Sequence, residues 1–162
     1  MKYLKFFLFI ILFFSCRGND DDVQKIDQVL KIYVTNSAGE DLLNTAVAGA
    51  YYSVGLVDLD AVRDRVSVSS ILKTDLENTK YLEYIAGATR TLQSGGTDTY
   101  KIYKSTLAIQ YRKESTGEPN EDILEIYYEW TPQLFQLKTI NLNGVSVFEK
   151  AENQENRIRI VK

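Results

Sequence analysis

Residues 123–131 limit the fold more tightly than any other part of the chain. Leu124, Ile126, Tyr128 and Trp130 fall on one side of an extended backbone, and Glu125, Tyr127 and Glu129 fall on the other. Apolar positions on a helix recur every three to four residues, so strict alternation describes a strand with one buried face and one wet face. A little further on, Asn143-Gly144 separates the apolar runs 137–142 and 145–148. Both residues accept positive φ, and such a pair between alternating runs specifies a two-residue hairpin.

The same period recurs elsewhere. Leu30, Ile32 and Val34 alternate with Lys31 and Tyr33. In the run 100–112, Leu107, Ile109 and Tyr111 oppose Ala108, Gln110 and Arg112, and near the end Ile158 and Ile160 oppose Arg157, Arg159 and Val161. Residues 51–57 and 65–69 also lean to strand, with the polar segment 58–64 between them as a loop or a single helical turn. Residues 81–92 fit a short helix through Tyr81, Leu82, Tyr84 and Ile85, yet Gly87, Thr89 and Thr91 favour strand. Gly39, Gly95-Gly96 and the pair Gly117 and Pro119 mark turns and polar connections. The expected fold is all-β: an antiparallel sandwich of about eight strands, immunoglobulin-like or related, because one-sided strands need a second apolar layer. An open antiparallel sheet with one short helix, or a small barrel, is the alternative.

Two absences narrow the chemistry. The chain has no histidine, which removes histidine acid–base catalysis, the Ser-His-Asp triad and the commonest transition-metal ligand. Its one cysteine, Cys16, leaves no intrachain disulfide. The formal charge is −3, with no basic stripe interleaved with aromatics, so no nucleic-acid partner is expected. No cofactor is expected either.

The remaining candidates are weak. Ser70-Ile71-Leu72-Lys73 has the spacing of a serine–lysine nucleophile pair, but it lacks the companion motifs, and Asp75 follows Lys73-Thr74 where glycine would stand. Asp58, Asp60 and Asp64 form an acidic cluster that offers oxygen ligands to calcium, without the glycine and closing glutamate of a calcium loop. Glu125 and Glu129 share a strand face, but four residues of strand separate them by about 13 Å. Glycosidase carboxylate pairs stand about 5 Å or 6.5–9.5 Å apart. Aromatics are the more suggestive feature. Tyr51, Tyr52, Tyr103 and Tyr127 are candidates to reach solvent and contact a glycan or protein partner, whereas Tyr128 and Trp130 belong to the core.

The first residues carry a different message. Lys2 and Lys5 precede an apolar run from Phe6 to Phe14, then Ser15 and Cys16, and the chain turns polar at Arg17 and acidic at Asp20, Asp21 and Asp22. A charged start, a short apolar core and a small residue before the break are the parts of a secretory signal, and the run is too short to span a bilayer comfortably. Phe13-Phe14-Ser15-Cys16 resembles the lipobox of bacterial lipoproteins, and the acidic tract beyond it is similar to that of small Bacteroidota lipoproteins. This resemblance implies a signal peptide over 1–15, an acyl chain on Cys16, a polar tether over 16–27 and a single β-rich domain over 28–162. It further implies attachment to the outer membrane, with Asp20, Asp21 and Asp22 as a possible surface-export signal. An acylated Cys16 has no thiol left for catalysis. The expected role is therefore non-catalytic, binding or structural at the envelope, with a protein or polysaccharide partner. A small carboxylate hydrolase acting on glycans is the alternative.

Overall fold

The computed structural model describes residues 23–162, so Cys16 and the acidic tract Asp20, Asp21 and Asp22 lie outside the described residues. Twelve strands and no helix are present among the described residues. They are β1 (Lys25–Asp27), β2 (Leu30–Thr35), β3 (Ser53–Asp58), β4 (Val66–Val68), β5 (Ile71–Thr74) and β6 (Lys80–Tyr84) in the first half. The second half supplies β7 (Thr91–Gly95), β8 (Lys101–Arg112), β9 (Asn120–Trp130), β10 (Leu134–Leu142), β11 (Val145–Glu149) and β12 (Arg157–Val161). The larger sheet runs β1-β10-β9-β8-β3-β4, with β11 also on β10 and β7 also on β8; the smaller runs β12-β2-β6-β5. The architecture is an all-β, sandwich-like fold.

One core joins the two sheets. The smaller sheet contributes Leu30, Ile32, Val34, Leu82, Tyr84, Ile158 and Ile160. The larger answers with Leu107, Ile109, Tyr111, Leu124, Ile126, Tyr128, Leu137 and Ile140. Each such side chain contributes about 1.5–3 kcal/mol on burial. Exposed ion pairs contribute about 0–1 kcal/mol each. The interior therefore holds the sheets together. The alternation in β9 is realised as read, with Leu124, Ile126 and Tyr128 fully buried and their neighbours on the opposite face.

Asn143-Gly144 closes the β10–β11 hairpin with φ of 52° and 80°, the left-handed pair that a type I′ turn demands. Asn143 does more than turn the chain. Its Oδ1 accepts the Ile123 N–H at 2.8 Å, and its Nδ2 donates to Asp122 Oδ1 at 3.0 Å, pinning the hairpin to β9.

Four features depart from the sequence reading. Two strand pairs are parallel, β1 with β10 and β12 with β2, so the sheets are mixed rather than wholly antiparallel. Residues 25–27, expected within the tether, form β1. It is locked by Asp27, which pairs with Lys150 Nζ at 2.8 Å and accepts Asn156 Nδ2 at 2.8 Å. Residues 71–74, outside the strand runs read from the sequence, form edge strand β5 on β6. The run 81–92 is two strands in different sheets, β6 in the smaller and β7 in the larger. The crossing falls at Gly87, whose φ of 122° is open only to glycine. Tyr84 Oη, accepting the Ala88 N–H at 3.2 Å, steadies it.

Candidate functional site

Pleating fixes what β8, β9 and β10 show to solvent. With Leu124, Ile126 and Tyr128 turned inward, Glu125, Tyr127 and Glu129 stand on the outer face. They lie opposite Thr106, Lys104 and Ile102 of β8, and opposite Asn141, Thr139 and Gln136 of β10. A bulge between Leu137 and Thr139 adds Lys138 to this surface. Lys138 Nζ pairs with Glu129 Oε2 at 3.1 Å and donates to Tyr100 Oη at 2.9 Å, while Lys104 Nζ pairs with Glu125 Oε1 at 3.2 Å. Gln136 Nε2 donates to Glu129 at 3.1 Å and Asn141 Nδ2 to Glu125 at 3.4 Å. Half-buried Tyr127 sits among these groups in a shallow depression lined by Ile102, Lys138, Thr139 and Asn141.

The electrostatics of this face suit recognition better than proton transfer. The hydrogen bonds to Tyr100 and Glu129 raise the Lys138 pKa above the ordinary lysine value. That to Glu125 does the same for Lys104. Each glutamate has its own lysine, so neither stands as a lone acid or base. What remains is a flat surface of amides, ion pairs and two tyrosine rings, able to hydrogen-bond and stack.

The four candidate tyrosines are not brought together. Tyr127 lies on the outer face. Tyr51 is buried, correcting the expectation that it reaches solvent: its ring lies 5.0 Å from that of Tyr111 and Lys113 Nζ stands 4.0 Å above it. Its neighbour Tyr52 is 62% exposed. Tyr103 points to the inner side of β8 and packs, half-buried, at the rim of the core. Tyr128 is in the core as expected. Trp130 stands at the core's edge, with Lys101 Nζ 4.7 Å above its ring.

Asp58 and Asp60 tie loops to backbone. Buried Asp58 accepts the N–H groups of Asp60 at 2.9 Å and Thr89 at 2.7 Å, and Asp60 accepts that of Thr106 at 2.8 Å. Asp64 is exposed, and no group of three potential ligands converges among the described residues. Lys73 is ion-paired with Glu83 at 2.6 Å, which raises its pKa. A lysine activating a serine needs the opposite shift.

Two arrangements escape the sequence reading. One is a buried polar network in which Asp122 accepts Tyr111 Oη at 2.8 Å, Lys162 Nζ at 2.5 Å and Asn143 Nδ2 at 3.0 Å. Burial pushes the Asp122 carboxyl up, but these hydrogen bonds outweigh it and hold the group below its usual range. The other is a cavity of about 360 Å³ at one end of the sandwich, lined by Gln24, Gln28, Arg90, Tyr103, Trp130 and Phe135 among others. The Arg90 guanidinium lies 4.8 Å from the Tyr128 ring centre and 4.7 Å from that of Phe135, two rings that are themselves stacked. Its Nη2 donates to Gln28 Oε1 at 2.6 Å. Its Nε is buried with no hydrogen-bond partner among the described residues. The lining comes from distant stretches of chain, and no spacing in the sequence announces it.

No protein-family model, curated protein or solved structure matches this chain.

Proposed function

We propose that this chain is a non-catalytic lipoprotein of the bacterial outer membrane, held by an acyl chain on Cys16. It binds a polysaccharide or protein partner through the outer face of β8, β9 and β10. The flat face around Tyr127 carries this reading. Its carboxylates are committed to lysines, and Tyr127 and Tyr100 leave part of each ring to solvent, as stacking recognition requires. The Lys2-to-Cys16 leader supports the anchor, and Asp20, Asp21 and Asp22 would serve as the export signal.

The anchor is tested by labelling cells with radioactive palmitate. The wild type takes up label and Cys16→Ala does not; equal labelling would sink the anchor. Recognition is tested by electrophoresis of the full chain through gels containing surface polysaccharide. Retardation that falls several-fold in Tyr127→Ala supports the face, and unchanged retardation rejects it.

A further inference from the structure

We infer that the cavity beside Arg90 binds a carboxylate-bearing sugar ring of the uronic-acid class. This is a second site, distinct from the outer face around Tyr127, and it rests on the reading of the chain as a binding protein. The argument begins with charge. Arg90 is a permanent cation, and its only described hydrogen bond is to the neutral amide of Gln28. Among the described residues no carboxylate lines the cavity. A guanidinium held against Tyr128 and Phe135 is fixed in place, which preorganises its fork for a planar carboxylate. Lys101, over the Trp130 ring, adds a second positive charge close by.

The walls choose the rest of the ligand. Tyr103 and Trp130 are both half-buried, leaving part of each ring to the cavity, and aromatic rings pack against the apolar faces of sugars. Gln24 donates its amide to the Thr131 carbonyl at 2.6 Å, which leaves its own carbonyl as an acceptor. Gln28 accepts from Arg90, which leaves its amide N–H groups as donors. A donor and an acceptor in the same lining suit hydroxyl groups, which are both at once. The volume, about 360 Å³, lies at the small end of the roughly 300–1,000 Å³ range of small-molecule sites, fitting one or two rings.

Trp130 is the sole tryptophan and lines the cavity, so its fluorescence reports occupancy directly. Digalacturonate, its neutral counterpart galactobiose, and benzoate are titrated separately into the full-chain protein. Digalacturonate should change the emission saturably, and galactobiose and benzoate should each bind roughly tenfold more weakly or worse, the ratio for a lost charged or hydroxyl contact. Arg90→Gln should weaken digalacturonate by about tenfold or more. Arg90→Lys, which keeps the cation but not the fork, serves if that variant fails to fold and should also bind more weakly. No saturable response to digalacturonate, or equal binding of galactobiose or benzoate, overturns the proposal. If digalacturonate fails while Tyr127-dependent retardation by polysaccharide persists, only the ligand assignment falls. If both fail, the binding reading falls with it.

Discussion

Replacing Asp122 with alanine should lower the melting temperature substantially at neutral pH and less so in acid. The carboxylate is the common acceptor for Tyr111, Asn143 and Lys162. Its loss leaves the Tyr111 hydroxyl buried without an acceptor, at about 1–3 kcal/mol. The Lys162 pair adds about 1 kcal/mol rather than the 3–5 of a fully buried pair, because the Lys162 side chain is 25% exposed. A total near 3 kcal/mol lowers the midpoint by about 6–12 °C in a chain of this size. The sign with pH follows from the depressed carboxyl pKa. Its stabilisation is complete above the unfolded value of about 3.9 and is lost as pH falls through the folded value below it. The hydroxyl penalty persists in acid; the ionic part does not. Thermal melts followed by Trp130 fluorescence at pH 7 and pH 3 measure both. A deficit under about 2 °C at pH 7, or one that grows in acid, refutes the reasoning.

Three further outcomes follow from local geometry. Asn143→Ala removes a left-handed turn residue and two hydrogen bonds to β9, and should cost about 2 kcal/mol in urea titrations. Gly87→Ala meets a φ of 122° and places a Cβ 3.3 Å from Val68 Cγ1, so it should destabilise by about 2 kcal/mol or more by the same measurement. Ser105→Ala deletes a fully buried hydroxyl that meets the Tyr128 hydroxyl only at long range, and should change the melting temperature by no more than a few degrees.

Legibility in the sequence tracked burial contrast. β9 was readable because its faces differ sharply, and the β10–β11 hairpin because Asn143-Gly144 has few other conformational uses. β5 carried no contrast: Ile71 and Leu72 are both about half exposed at a sheet edge. β1 is three residues long and takes its partner, Leu134–Gln136, from more than a hundred residues away, where no local period could register it. Tyr51 and Tyr52 show the limit most plainly. Alternation says that adjacent tyrosines point to opposite faces, and only the packing of Tyr51 against Tyr111 decides which one goes in. The face around Tyr127 followed from the same alternation. The Arg90 cavity did not, since strand crossings assemble its walls.

The pairing of β1 with β10 has a mechanical consequence. A pull applied at Val23 along β1 loads the side-by-side bonds of Lys25–Asp27 with Leu134–Gln136 together, in shear, instead of peeling them one by one. Asp27 shares that load with Lys150 and Asn156, so the cross-links to the C-terminal segment must yield before the strand slides. Once it slides, β10 still holds β9 on one side and β11 on the other. Behind it the tension passes through Gln28 and Val29 to β2, whose Leu30, Ile32 and Val34 are seated in the core.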